Sequence, residues 1–147
     1  MNIKKIVVLI LFAVAIIGII APANAALNGY VSKYSSYGYK PEKLYVCIQS
    51  NIELDKSNWK SSNSVTKRKN ELNKVNKISI KVQGYNSTVI KRPSSGWSTY
   101  QYADAFEKNF VVKKAYKSLK GQTYTISLYD KNNKLLRDPI RKTLGSG

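Results

Sequence analysis

The chain has 147 residues, with 25 lysines and arginines against 8 aspartates and glutamates and no histidine, for a net charge of +17. Without histidine the usual general base and commonest metal ligand are missing, which excludes Ser-His-Asp sites, Cys-His sites and histidine-containing catalytic zinc. Cys47 is the one cysteine, so no internal disulfide staples the fold, and a buried thiol acting as a small hydrophobe is expected over intermolecular pairing.

Residues 1–5 are a short basic leader, and residues 6–21 carry no charged or strongly polar side chain. Pro22 and the triplet Ala23-Asn24-Ala25 follow. A positive start, an apolar middle and an A-x-A site describe a secretory signal peptide over residues 1–25, cut after Ala25. The alternative is an uncleaved anchor, but the sixteen-residue apolar run is shorter than the roughly 20 residues of a spanning helix. No cysteine follows the run, as a lipoprotein signal would require. A secreted or cell-surface protein is expected, with 23 basic residues against 8 acidic ones after cleavage. Only Arg68, Arg92, Arg137 and Arg141 are arginines. A lysine-heavy surface makes diffuse, salt-sensitive contacts. The expected partners are anionic: envelope polymers, acidic glycans, lipid headgroups or extracellular nucleic acid.

Residues 26–41 read as an arm or linker, with Tyr30, Tyr34, Tyr37 and Tyr39 among Ser, Gly and Lys. A short strand at 29–32 is the most order they suggest. Over 43–49, Leu44, Val46 and Ile48 alternate with Tyr45, Cys47 and Gln49, which predicts a strand. Residues 52–76 are the most polar part, and the stretch 61–77 carries Lys67, Arg68, Lys69, Lys74 and Lys77 against Glu71 alone. Val65, Leu72 and Val75 give one weak helical stripe, with Ser64 as a candidate cap; a long basic loop is the alternative. Residues 77–83 alternate as a strand with Ile78, Ile80 and Val82 inward. Gly84-Tyr85 bends the chain, and 87–91 can return beside that strand. Pro93-Ser94-Ser95-Gly96 reads as a turn, 97–102 as an aromatic strand, and 106–113 as a strand with Phe110 and Val112 inward. Tyr124, Ile126 and Leu128 alternate in the next strand. Asp130-Lys131-Asn132-Asn133 turns the chain, and 135–140 returns as a final strand with Pro139 suited to an edge. About seven short strands over a domain of 42–142, followed by a tail at 143–147, predict an all-β antiparallel sandwich.

Leu119, Gly121 and Tyr124, in the pattern L-x-G-x-x-Y, resemble the tyrosine corner of immunoglobulin-like and fibronectin type III-like sandwiches. That resemblance implies an immunoglobulin-like order of strands, with the Tyr124 hydroxyl tied to a nearby backbone group. The signal peptide and the Lys/Asn/Ile/Tyr-rich composition are similar to those of small exported surface proteins of prokaryotes, methanogenic archaea included.

The chemistry expected is binding, with no catalytic residue, cofactor or metal assigned. Lys67, Arg68, Lys69 and Lys74 are the expected polyanion contacts. Trp97, Tyr100 and Tyr102, beside Lys91 and Arg92, are a candidate aromatic platform for sugars. Asn86-Ser87-Thr88 is an N-glycosylation sequon. A non-catalytic envelope module holding an anionic polymer or surface protein through lysine-rich loops is the first reading. An extracellular nucleic-acid-binding protein is the second. The third is a secreted hydrolase, with Glu53 and Asp55 or Asp104 and Glu107 as its carboxylate pair.

Overall fold

The computed structural model describes residues 26–33 and 41–145. The expected signal segment and Tyr34, Tyr37 and Tyr39 lie outside the described residues. Among those described, no helix is long and apolar enough to cross a membrane.

Seven strands and one helix follow in chain order. They are β1 (Leu27–Lys33), β2 (Glu42–Ser50), α1 (Ser62–Asn73), β3 (Lys77–Val82), β4 (Thr88–Lys91), β5 (Ala105–Val112), β6 (Thr123–Tyr129) and β7 (Ile140–Thr143). They form two antiparallel sheets, ordered β1-β2-β5 and β4-β3-β6-β7. The all-β sandwich expected from alternation is therefore present. Leu44, Val46 and Ile48 of one sheet and Ile78, Ile80, Val82, Ile126, Leu128 and Ile140 of the other share one apolar core. Two-residue periodicity places these side chains inward and their neighbours outward.

Four segments differ from their sequence reading. The arm is a full edge strand: β1 pairs with β2 from Leu27↔Ser50 to Lys33↔Leu44. Its Gly29 is required sterically, because a Cβ there would lie 2.9 Å from both the Cys47 carbonyl oxygen and Ile48 Cδ1. The sandwich therefore begins at Leu27 rather than at residue 42. At the other end, Leu144 is buried and its N–H donates to the Gln122 carbonyl at 2.8 Å, so part of the expected tail belongs to the domain.

Residues 97–102 are not a strand. The Trp97 ring stacks on Phe106 at 4.4 Å, and its indole N–H donates to the Val75 carbonyl at 2.7 Å. Tyr100 and Ala103 then close a tight turn, with Ala103 at φ 53°. The last strand also starts later than expected. Leu135 makes a single bridge to Tyr129, Arg137 reaches across to the Leu27 carbonyl at 2.7 Å, and Pro139 offers no N–H. The ladder resumes at Ile140↔Ile126.

The polar segment forms α1. Ser61, in extended conformation, caps it by accepting from the Ser64 N–H at 3.2 Å; Ser64, the expected cap, is a buried residue of the first turn. Ser64, Arg68 and Leu72, spaced by four, form the buried face.

The corner residues lie where the crossing to the last two strands occurs. Leu119 is buried, Gly121 takes a φ of 86° in a turn closed by Gln122 N–H to the Leu119 carbonyl, and Tyr124 is buried on β6. The hydroxyl does not bond a nearby backbone group. It accepts from the Val31 N–H at 3.1 Å, 93 residues away on β1, and so ties the two sheets together. Tyr124→Phe leaves that buried N–H without a partner. We expect a loss of about 1–3 kcal/mol in denaturant unfolding, with the spectrum of the folded state unchanged.

Candidate functional site

The expected contacts on α1 are divided by the fold. Arg68 is fully buried and cannot touch a polymer. Its Nε donates to the Tyr102 carbonyl at 3.0 Å, Nη1 to that of Ile52 at 3.2 Å, and Nη2 to that of Trp59. Its planar fork matches three converging carbonyls, and the signal for that role was its place in line with Leu72 on the helix. Lys67 is paired with Glu53 at 3.1 Å and Lys74 with Glu71 at 2.8 Å. Lys69 is exposed. Half of the expected patch is thus locally neutralised and one member is structural.

A different surface collects positive charge. Because Ile78, Ile80 and Val82 point inward on β3, Lys77, Ser79 and Lys81 point outward. On β6 the inward set is Tyr124, Ile126 and Leu128, and the outward set is Thr123, Thr125, Ser127 and Tyr129. Register then aligns Lys81, Thr125 and Arg141 in one row across β3, β6 and β7. A second row holds Lys91, Lys77 and Tyr129. None of the four strands contains an aspartate or glutamate. Among the described residues, Lys77, Lys81, Lys91 and Arg141 form no ion pair. Lys77 Nζ sits 4.6 Å from the Tyr129 ring centroid and donates to Asn133 Oδ1 at 2.5 Å. An open cleft of about 470 Å³ lies on this face, lined by Lys81, Gln83, Thr123, Thr125 and Arg141.

The candidate aromatic platform is not one surface. Trp97 belongs to the core. Tyr100 stands on the outer side of the three-stranded sheet and donates to Glu107, and that bond to a carboxylate raises its pKa. Tyr102 instead meets Trp59 edge-on at 5.3 Å, with Lys60 Nζ 5.3 Å from both rings. Trp59 is held by a loop turn and by Arg68, whose Nη2 donates to its carbonyl and whose guanidinium lies 5.5 Å from its ring centroid.

Cys47 is buried on the outer side of β2, opposite Tyr30 on one strand and Glu107 on the other. Its bond with Tyr30 raises the phenol to about 12, and burial pushes the thiol up. Asn86 is exposed in the β3–β4 connection beside Val111, Lys113 and Lys114. Asp130 closes its own turn, accepting from the N–H groups of Asn132 at 2.8 Å and Lys134 at 3.0 Å. Among the described residues no three His, Cys, Asp or Glu side chains gather as a metal site. No protein-family model matches the chain, and neither do any curated protein or solved structure.

Glu53 is a carboxylate held ionised by its neighbours. Bonds from Ser64 and Lys67, with a further one from Lys56, lower its pKa from 4.5 to about 2. A depressed carboxylate contributes stability that is complete above its unfolded pKa and lost as pH falls through the folded one. The stability difference between wild type and Glu53→Gln should therefore be constant above about pH 5 and shrink toward zero between pH 4.5 and 2. Thermal melts at a series of pH values measure it.

Proposed function

We propose that this is a non-catalytic exported surface module that binds an anionic polymer, and that the outer face of its four-stranded sheet is the contact surface. One observation carries the reading: that face presents Lys77, Lys81, Lys91 and Arg141 over strands with no acidic residue. The sheet fixes the backbones that carry the cations, so the freedom lost when a ligand is held is that of the side chains alone. The hydroxyls between them, from Ser79, Thr123, Thr125 and Ser127, supply hydrogen bonds without adding negative charge.

The finer fold reading is an immunoglobulin-like sandwich. The order β1-β2-β5 against β4-β3-β6-β7 and a buried tyrosine on the penultimate strand support it. Placing β4 beside β3, rather than beside β5 as in constant-type domains, favours the fibronectin type III-like variant. Export rests on the N-terminal leader, apolar run and A-x-A site.

Two variants separate the sheet from the helix: Lys77→Gln with Lys81→Gln, Lys91→Gln and Arg141→Gln, and Lys67→Gln with Lys69→Gln and Lys74→Gln. Retention on beads carrying an anionic polymer should fall about tenfold or more at low salt for the first and change little for the second. On duplex DNA beads, the salt dependence should flatten by about four contacts for the sheet variant. Undiminished retention of the sheet variant contradicts the assignment.

A further inference from the structure

We propose that the cleft between Lys81 and Arg141 is a subsite for the phosphodiester of a base-free polymer, one whose repeat is a polyol or sugar phosphate. This rests on the reading of the four-stranded face as the contact surface. Its first support is the state of the arginines. Arg68 holds three backbone carbonyls, Arg137 holds those of Leu27 and Asp138, and Arg92 reaches Asn73 Oδ1 at 3.5 Å. Arg141, among the described residues, has no side-chain hydrogen bond or ion pair, and neither does Lys81. Two unengaged cations therefore flank Thr125 in one row, with no carboxylate in the lining of the cleft.

The second support is shape. Neighbouring strands lie about 4.8 Å apart, so the backbones of Lys81 and Arg141 are about 10 Å apart across β6. Both side chains are long enough to close over the Thr125 hydroxyl, with Thr123 two residues back along β6 and Gln83 at the end of β3. A phosphodiester lies within its chain, and its two unbridged oxygens project to either side of the chain axis. A chain following β6 turns one oxygen toward Lys81 and the other toward the Arg141 fork, above the two threonine hydroxyls. A pendant carboxylate turns both oxygens away from its own chain. The guanidinium fork satisfies them as a pair, and Lys81 and the hydroxyls then add little.

The third support concerns bases. Single-stranded nucleic acid is held by stacking on exposed aromatic faces. Tyr129 is the aromatic residue on the outward side of these four strands, and Lys77 Nζ already lies 4.6 Å from its ring centroid. A phosphate polymer without bases gains all the contacts the face offers. Lys77 and Lys91, about 13 Å further along β3, supply a second cationic point on the same line.

Competition binding at fixed ionic strength tests this with poly(glycerol phosphate), poly-L-glutamate of matched charge and single-stranded DNA. We expect the wild type to prefer poly(glycerol phosphate) to polyglutamate by about fivefold or more. Thr125→Val loses the hydroxyl at constant shape and should reduce that preference by at least about half while polyglutamate binding stays level. Arg141→Lys keeps the charge and loses the fork, and should weaken polyglutamate at least as much as poly(glycerol phosphate). A wild type that binds both polymers equally, or a preference that survives Thr125→Val, overturns the subsite and leaves the cationic face standing. Tighter binding to single-stranded DNA than to poly(glycerol phosphate) overturns the base-free assignment. Absence of binding to all three removes the face reading as well.

Discussion

On β6, Tyr124, Ile126 and Leu128 are driven inward by burial, and the two-residue period then obliges Thr123, Thr125, Ser127 and Tyr129 to face out. The same rule acts on β3, where burying Ile78, Ile80 and Val82 exposes Lys77 and Lys81. A register slip of one residue would move every one of these side chains to the opposite side. Such a slip would bury two lysines and expose the core, at a cost far above the few kcal/mol that hold a domain together. The Tyr124 hydroxyl adds a second lock by accepting the Val31 N–H of the facing sheet. Core and candidate site are consequences of one alternation, and neither can be moved without the other.

Charge is distributed unevenly around that frame. Near α1, lysines and carboxylates meet: Glu53 receives Lys56 and Lys67, and Glu71 receives Lys74. Solvent-exposed pairs of this kind contribute little stability, but they lower the free positive potential of the helix. Arg68 works in the opposite sense, as a buried clamp between the long β2–β3 crossover and the chain leading into β5. It lets a helix with a poor apolar stripe pack firmly, because three carbonyls that would otherwise be stranded are satisfied at once. On the four-stranded face Lys77 is held by Asn133 and Tyr129, while among the described residues Lys81, Lys91 and Arg141 have no ion pair and remain available.

Much of the sandwich was legible from alternation: the inward residues of β2, β3, β5 and β6 and the turns at 93–96 and 130–133. The total of seven strands agrees with expectation only because β1 takes the place of the strand expected at 97–102. What escaped was decided by tertiary contacts. The inward stripe of β1, Leu27 and Val31, is broken by Gly29, at an inward position where only hydrogen fits against Cys47 and Ile48. Residues 97–102 look like a strand in composition, but the Trp97 indole is captured by the Val75 carbonyl and the Phe106 ring. The final strand starts at Ile140 and not at residue 135, because the Arg137 bond to Leu27 pulls the chain out of the ladder. For the site, the density of lysines around residue 68 drew attention to α1. The better signal was quieter: Lys77 and Lys81 occupy the outward positions of the clearest strand. Arg141, the row partner of Lys81, lies sixty residues from it, and only the β3-β6-β7 register brings it alongside.

The most direct measurement is amide chemical-shift mapping of the purified protein during titration with a short anionic oligomer at low salt. If the four-stranded face is the contact surface, the largest shifts fall on β3, β6 and β7, centred on Lys81, Thr125 and Arg141, while α1 moves little. Largest shifts on α1 around Lys67, Lys69 and Lys74, with β3, β6 and β7 unmoved, would contradict it.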